Sequence, residues 1–207
     1  MPAAKGARAA KFDDILAAAT RLFLERGFGD TSMDEVALQA NVSKRTIYDK
    51  FANKQALFGA VIQSLCEKIT VPEILINADD DDVESVLNRY GVWFLTQIYA
   101  PESVSLFQTV INDSRRFPEV GEMMFYGPVR RTQDAVAQYL GAQVRKGRLD
   151  LPDPLLAAAF LVGMLKTDAH MKLLFCLPRK NATKDMQKAV AAAVKLFLNG
   201  ASKRGPA

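Results

Sequence analysis

The sequence predicts an all-α fold, and three observations support that prediction. Apolar residues recur at spacings of three and four along most of the 207 residues, which is the period of an amphipathic helix. No run alternates β-branched with polar residues, as a half-buried strand would. Glycine and proline also stand where helices begin or end, for example at Gly27, Pro101 and Gly147.

Composition indicates a soluble globular protein. Apolar residues make up 49% of the chain and charged residues 24%, with a formal net charge of +4. No apolar run approaches the roughly 20 residues of a membrane-spanning helix, and the first residues lack the apolar stretch of a signal peptide. We therefore expect a cytoplasmic protein with no membrane partner.

Motifs for metal ions, cofactors or catalysis are not evident in the sequence. Cys66 and Cys176 lack the paired spacing of a metal or redox site, and His170 is the only histidine. The acidic run at 79–82 lacks the turn glycine of a calcium loop. No glycine-rich phosphate loop follows a strand. The sequence thus predicts no metal site and no cofactor, and it predicts that the protein is not an enzyme.

The first helix is predicted over residues 12–26. Its apolar residues form one stripe, and Gly27 follows as a C-terminal cap, with Phe28 placed to pack back on Phe23. The preceding residues 1–11 contain basic residues and no acid. This indicates either a basic arm for a nucleic acid or a solubilising terminus.

Two short helices follow, separated by a tight turn. Ser32 and Glu35 have the spacing of a capping box, which starts a second helix that ends near Ala40. Asn41 tolerates the left-handed backbone of a turn, and Ser43 is a favourable N-cap for the third helix. The order of helix, turn and helix is that of a helix-turn-helix.

The third helix presents a basic outer face. Ile47 and Phe51 lie four residues apart and are predicted to face inward. Lys44, Arg45 and Tyr48 fall on the opposite side. Lysine and arginine can donate to guanine O6 and N7 or to phosphates, so this face is typical of a recognition helix in the major groove. The alternative, a solvated helical hairpin with ordinary surface charge, does not account for the order of the capped helices.

The rest of the chain is also predicted to be helical. Asn53 caps a fourth helix, an apolar connector that continues to Pro72. Further helices are expected over 83–98, from Pro101 through Ile111, over 128–146, from Pro154 to Phe175 after the cap Asp153, and after Thr183 as a cap.

The stretch ILAAATRLFLERGFGDTSMDEVALQANVSKRTIYDKFANKQALF lies within residues 12–62. It resembles the DNA-binding domain of TetR-family transcriptional regulators. The resemblance implies an N-terminal three-helix helix-turn-helix domain, followed by a larger helical domain that binds a small-molecule effector and dimerises. We expect the DNA-binding domain, with its basic arm, over 1–53 and the effector-binding and dimerisation domain over 54–207.

The resemblance also implies which residues contact a double-stranded DNA operator. The expected phosphate contacts are Thr31, Ser32, Tyr48 and Lys54, the expected base contacts are Lys44, Arg45 and Thr46, and Ser43 and Lys50 complete the expected interface. Many relatives have glycine or alanine where Arg45 stands. Arg45 is therefore expected to read a base that they do not.

The C-terminal half resembles the AefR-like subgroup of the same family. The similar residues are an FPE stretch at 117–119, the pair Phe125-Tyr126 and the pair Gly127-Pro128. A small-molecule effector is therefore expected in an apolar pocket between helices. Its expected lining is Trp93, Phe94, Phe107, Met124, Phe125, Met164 and His170. The alternative is that these aromatic and methionine residues are plain core and that the histidine is structural.

Together these features predict a homodimeric repressor that binds a palindromic operator and is released by a small apolar ligand. The last two helices carry more apolar surface than a one-sided helix needs, so they are expected to form the dimer interface. Two other classes stay open. One is a helical enzyme or small-molecule-binding protein without specific DNA binding, which selective DNA binding would exclude. The other is an architectural DNA-binding protein without an effector, which release by a metabolite would exclude.

Overall fold

The described part of the chain is built from helices. The computed structural model describes residues 3–67, 76–77, 82–177 and 182–201. Over these residues it contains eleven α-helices, one π-helical turn and no strand, which confirms the all-α prediction. The α-helices are α1 (Ala3–Arg26), α2 (Met33–Gln39), α3 (Lys44–Tyr48), α4 (Lys54–Glu67), α5 (Val83–Ile98), α6 (Pro101–Ser114), α7 (Pro118–Met124), α8 (Arg130–Arg145), α9 (Pro154–Leu165), α10 (Asp168–Leu174) and α11 (Ala182–Ala201).

The chain divides into two compact units. The N-terminal unit comprises Met1–Lys68 and Pro101–Gly127, and the C-terminal unit comprises Ile69–Ala100 and Pro128–Ala207. Helices α6 and α7 thus pack against α1 and α4, although they follow α5 in the chain. The boundary predicted after residue 53 separates DNA binding from effector binding and dimerisation, and it does not describe which helices pack together. It stays a prediction.

Three phenylalanines pack together in the core of the N-terminal unit, where α1 and α4 meet. Phe23 and Phe58 are fully buried, with ring centroids 4.9 Å apart, and Phe28 packs against both. Gly27 ends α1 with a φ of +86°, as a left-handed cap requires. A Cβ at this position would lie 3.0 Å from Oδ2 of Asp113 in α6. The predicted glycine cap and the predicted Phe28–Phe23 contact are both confirmed.

The first helix is longer than predicted. It begins at Ala3 rather than near residue 12. Alanine, the strongest helix former, dominates the sequence AAKGARAA at 3–10, and this propensity explains the extension. The predicted basic arm therefore has helical backbone from Ala3 onward.

Side-chain caps account for the starts of three further helices. Asn53 Oδ1 accepts the N–H of Ala56 at the start of α4, and Asp82 Oδ1 accepts that of Ser85 at the start of α5. Asp153 caps α9 in the same way, as predicted. The predicted continuation of the fourth helix to Pro72 lies outside the described residues, as do the aspartates at 79–81.

Two predicted helix boundaries near the C-terminus are wrong. The helix expected over 154–175 is divided into α9 and α10, because Lys166 leaves the helical region at a ψ of 70° and Thr167 is extended. The last helix begins at Ala182, so Thr183 lies in its first turn and is not the residue before the helix.

Helices α5, α8, α9 and α11 surround one apolar core in the C-terminal unit. Leu87, Tyr90 and Leu161 are fully buried in it. Helices α5 and α11 approach closely at Gly91, where a Cβ would lie 2.6 Å from Cγ1 of Val190. Only glycine fits there without displacing α11.

Candidate nucleic-acid interface

Side-chain caps fix the segment from α2 through the turn to α3. The Ser32 hydroxyl accepts the Glu35 N–H at 3.2 Å, and the Glu35 carboxylate accepts the Ser32 N–H at 2.9 Å, so the predicted capping box is confirmed. Asn41 has a φ of +50°, as the predicted left-handed turn requires. Ser43 caps α3 by accepting the Thr46 N–H at 3.1 Å. These bonds hold both helices at their first turns.

Two buried side chains anchor α3 to the N-terminal unit. Ile47 is fully buried and Phe51 is 5% exposed, as the helical spacing predicts. Phe51 stacks on Phe12 of α1 with ring centroids 5.5 Å apart, and Lys50 Nζ lies 5.4 Å from the centroid of Phe12. These contacts turn the opposite face of α3 outward.

The outward face of α3 consists of Lys44, Arg45 and Tyr48. All three side chains are exposed. The Arg45 side chain makes no hydrogen bond or ion pair with any residue in the part of the chain that the structure describes. Its five N–H donors are therefore available to an acceptor outside the chain.

Lys44 is held by a carboxylate of α2. Its Nζ lies 2.5 Å from Oδ2 of Asp34, and both side chains are exposed. The hydrogen bond to Asp34 and the charge of Asp34 raise the pKa of Lys44. Asp34 is not among the residues predicted from the sequence, because it lies on another helix. An acceptor on DNA would have to compete with Asp34 for Lys44.

Hydroxyl side chains of the predicted interface differ in exposure. Ser32 and Ser43 are exposed, whereas Thr46 is half-buried with its hydroxyl 2.8 Å from that of Ser43. Thr31 is 2% exposed, and its hydroxyl donates to the carbonyl of Gly27 at 2.8 Å. A phosphate contact by Thr31 stays a prediction. It would require the Thr31 hydroxyl to give up its hydrogen bond to Gly27 and donate to the phosphate instead.

Lys54 binds the turn between α1 and α2. Its Nζ donates to the carbonyl oxygens of Phe28, Gly29 and Thr31 at 2.7, 3.1 and 2.9 Å. An ammonium has three N–H donors, so these bonds use all of them. Burial lowers the pKa of Lys54. Sequence reasoning missed this structural contact, and the predicted phosphate contact of Lys54 stays a prediction.

Residues predicted to bind an effector are found in both units. In the N-terminal unit, Phe107 is half-buried and Met124 is 6% exposed. Phe125 is 49% exposed, in the π-helical turn Phe125–Val129. This turn contains the non-helical Gly127, with a φ of −86° and a ψ of −106°.

The other predicted effector residues belong to the C-terminal unit, and Phe94 lies in its apolar core. Trp93 and Met164 are half-buried at its edge, whereas Phe94 and His170 are buried. The His170 ring stacks on that of Tyr99 with centroids 6.1 Å apart. The assignment of all these residues to an effector site stays a prediction.

Helices α9 and α11 expose apolar side chains that their own unit does not cover. Leu156 and Phe160 of α9 are 49% and 60% exposed, and Leu196 of α11 is 66% exposed. Phe160, Leu196, Gly163 and Met164 line a shallow groove between the two helices. An apolar face of this kind favours a protein partner.

Neither a metal site nor a membrane span is found among the residues that the structure describes. No group of three or more histidine, cysteine, aspartate or glutamate side chains in those ranges could hold a metal ion. No helix within them is long and apolar enough to cross a bilayer.

A capped helix, a tight turn and an anchored helix with a basic outer face define a helix-turn-helix DNA-binding protein. Residues 15–61 match the bacterial regulatory proteins of the tetR family, and residues 85–200 match the C-terminal domain of AefR-like transcriptional repressors. The chain therefore belongs to the TetR family of bacterial regulators. It is a DNA-binding transcriptional regulator of a family that is not enzymatic.

Individual relatives agree with this assignment. The HTH-type transcriptional regulator YhgD of Bacillus subtilis is 24% identical over 188 residues, which are 89% of this chain and 92% of the relative. The transcriptional repressor Rv3405c of Mycobacterium tuberculosis is 33% identical over 110 residues, 53% of this chain and 55% of the relative. The structure of the flavonoid-responsive regulator FrrA matches with a TM-score of 0.82 at 27% identity, over 94% of this chain and 98% of that one.

Proposed function

We propose that this regulator is a repressor that binds a palindromic operator as a homodimer and releases it when a small apolar ligand binds. The main observation that supports this proposal is the outward face of α3. Lys44, Arg45 and Tyr48 are exposed on a helix whose opposite side is buried through Ile47, and Phe51 is buried just after the helix ends. A short helix fixed at one face and donor-rich at the other suits the major groove.

Arg45 is the proposed base-reading residue. Its guanidinium can bond to O6 and N7 of guanine in a bidentate geometry. The exposed Tyr48 and Ser32 are proposed to contact phosphates, which orient α3 on the duplex without reading its sequence. Lys44 is proposed to exchange Asp34 for an acceptor on the DNA.

The apolar face of α9 and α11 is the proposed dimer interface. Self-association would cover Phe160 and Leu196, which the chain leaves exposed. Small residues at the groove, Ala159 and Gly163, allow helices of two subunits to approach closely. A dimer formed there would contain two copies of α3, and we expect it to read two half-sites about 34–36 Å apart, which is one turn of DNA.

The effector is proposed to be small and largely apolar. The half-buried Trp93 and Met164 at the edge of the C-terminal core support this, because ligand pockets are mostly apolar with few polar groups. FrrA, which is similar over most of its length, is flavonoid-responsive. A ligand that favours a conformer with low DNA affinity needs a coupling of only about 1–3 kcal/mol to weaken operator binding about 5- to 150-fold.

Repression is proposed from the relatives. Rv3405c is a transcriptional repressor, and the domain matched by residues 85–200 is that of AefR-like repressors. We propose that the protein acts in the cytoplasm, where the bacterial operator is.

The test is selection of bound sequences from random DNA with the purified full chain. We expect enrichment of an inverted repeat whose half-sites are about one helical turn apart. If no sequence is enriched, the DNA-reading role is contradicted, and a helical small-molecule-binding protein becomes the better account. The selected operator is then screened for release by apolar compounds. If no compound that binds the protein weakens the operator complex, the proposed control by an effector is contradicted. An architectural DNA-binding protein is then favoured.

A further inference from the structure

An aspartate stands at the end of the helix that is proposed to enter the major groove. Asp49 follows Tyr48 directly, and its backbone is still helical, with a φ of −66° and a ψ of −19°. Its N–H donates to the carbonyl of Arg45 at 2.8 Å, which continues the helical turn. The Asp49 side chain is exposed. None of the DNA contacts proposed above uses this carboxylate.

Arg45 and Asp49 point away from the buried side of α3 more directly than the other side chains of this helix. Successive residues of an α-helix are about 100° apart around its axis. Counted from the fully buried Ile47, Arg45 lies at about 160° and Asp49 at about 200°, on either side of the direction opposite to Ile47. Lys44 and Tyr48 lie at about 60° and about 100°, on the flank of the helix. Arg45 and Asp49 thus form the outermost surface of α3.

The two charged groups of this outermost surface are not engaged elsewhere in the part of the chain that the structure describes. Neither the Arg45 nor the Asp49 side chain makes a hydrogen bond or ion pair with a described residue. The other cations of the segment do have contacts, because Lys44 pairs with Asp34 and Lys50 lies over an aromatic ring of α1. A guanidinium has only donors, and an ionised carboxylate has only acceptors. The outermost surface of α3 therefore presents one donor group beside one acceptor group.

A carboxylate on this surface has one favourable partner among the four bases. DNA phosphates repel it, so it needs a hydrogen-bond donor in the groove. In the major groove, cytosine presents its N4 amino group and no acceptor, whereas adenine presents N6 beside the acceptor N7. Guanine presents two acceptors, and thymine presents an acceptor and a methyl group. Cytosine is therefore the base that suits a side chain with acceptors only.

We propose that Asp49 is a second base-reading residue, which accepts a hydrogen bond from N4 of a cytosine in each half-site. Arg45 and Asp49 are four residues apart, so they are separated by about 6 Å along the helix axis, which is about two base-pair steps of roughly 3.4 Å each. The cytosine is therefore expected within about two steps of the guanine that Arg45 reads. The inference rests on the proposed function and adds a second specificity-determining residue to it.

Selection from random DNA with the full chain and two Asp49 variants tests this assignment. The wild type should enrich half-sites that share a cytosine within about two steps of the guanine. Asp49→Ala should lose the preference for this cytosine and keep the guanine. Asp49→Asn should shift the preference to adenine, because an asparagine amide bonds to N6 and N7 of adenine. Asp185→Ala removes an exposed carboxylate of α11, so it makes the same change in net charge as Asp49→Ala and should leave every position unchanged.

A modified operator tests the same contact with the unaltered protein. N4-methylcytosine still pairs with guanine, but its methyl group replaces the N4–H that faces the major groove. At the selected cytosine it should weaken wild-type binding about fivefold or more, and it should leave the binding of Asp49→Ala unchanged. Asp49→Ala should also bind unselected DNA at least as tightly as the wild type, because a charge that phosphates repel is gone. This readout separates lost base reading from a misfolded variant.

Four results would each overturn the role of Asp49 and leave DNA reading by α3 intact. They are an enriched repeat without the cytosine, unchanged selectivity in Asp49→Ala, equal wild-type affinity for the two operators, and weaker binding of unselected DNA by Asp49→Ala. If the wild type enriches no sequence, the proposed function is contradicted, and the inference about Asp49 is contradicted with it.

Discussion

Asp34 of α2 and Lys44 of α3 form an ion pair at 2.5 Å across the helix-turn-helix. The pair neutralises the first basic residue of the helix proposed to enter the major groove. It also places a carboxylate beside that face, where DNA phosphates would repel it. If Lys44 contacts DNA as proposed, Asp34 competes with the DNA for its ammonium, and removing the Asp34 charge tests the proposed interface directly.

Asp34→Asn is expected to tighten DNA binding, because Lys44 becomes free to contact a phosphate or a base. The slope of log affinity against log salt should become steeper by roughly one. Anisotropy titrations of the selected operator over a range of salt measure this slope. Asp168→Asn breaks a comparable exposed pair in the C-terminal unit and should leave the slope unchanged. Weaker binding by Asp34→Asn would show that the pair orients α3 instead of competing with DNA.

Arg45→Ala is expected to lower operator affinity by about 1–3 kcal/mol and to relax base preference at one symmetric position. The reason is that the exposed guanidinium has no partner among the described residues and is free to read a guanine. Repeating the selection with the variant measures both effects. Arg131→Ala, an exposed arginine of α8, is the matched control. Unchanged selectivity in Arg45→Ala would refute the base-reading assignment.

Lys54→Met is expected to lower the free energy of unfolding by about 1–3 kcal/mol, because three carbonyl oxygens lose a charged donor. Those carbonyls belong to the turn that ends α1 and leads into α2. Denaturant unfolding of the full chain measures the change, and Lys188→Met at an exposed site of α11 is the control. Unchanged stability together with a salt slope lower by roughly one would favour the phosphate contact instead.

Local interactions made the helix-turn-helix predictable from the sequence. The capping box of Ser32 and Glu35 and the cap of Ser43 on Thr46 each join residues three apart, so their spacing is visible in the sequence. The contact of Lys54 with Phe28 joins residues 26 apart and depends on how α4 packs on α1. One feature of the sequence indicated the Lys54 contact. Lys54 begins α4, and the helix macrodipole disfavours a cation at this N-terminal end.

The break between α9 and α10 was missed for a different reason. Lys166 and Thr167 include neither glycine nor proline, the usual interruptions of a helix. The available signal was Thr167 followed by Asp168, since threonine caps and an acid in the first turn both favour a helix start. The apolar residues on both sides keep a helical spacing, so periodicity alone predicts one continuous helix.

Phe160→Asp and Leu196→Asp are expected to convert the protein to a monomer. Each places a charge on the exposed apolar face of α9 and α11. If these residues are central to the interface, the dissociation constant should rise about 30-fold or more. Light scattering at micromolar concentration measures the mass. Leu38→Asp is the control, because Leu38 of α2 is 82% exposed and lies outside this face. A dimer that persists in both test variants would refute this interface.

His170 is expected to titrate below the ordinary histidine range. Burial, and then the charge of Lys166, lower its pKa. Lys166→Met should therefore raise the pKa of His170, while Lys172→Met, whose charge is paired with Asp168, should leave it nearly unchanged. The single Hε1 resonance followed against pH measures each value. Equal titration curves for the wild type and Lys166→Met would show that the two residues do not interact.

The same shift predicts how stability depends on pH. A histidine whose pKa is lower in the folded than in the unfolded chain binds fewer protons when folded, so acidification favours the unfolded state. The contribution of His170 to the free energy of unfolding is therefore fully present above about pH 6.5, the ordinary histidine pKa, and decreases as the pH falls below it. Denaturant unfolding at a series of pH values measures this decrease. It should be smaller in Lys166→Met, because the pKa of His170 then lies closer to its unfolded value, and an identical decrease in the two proteins would contradict the electrostatic contact between Lys166 and His170.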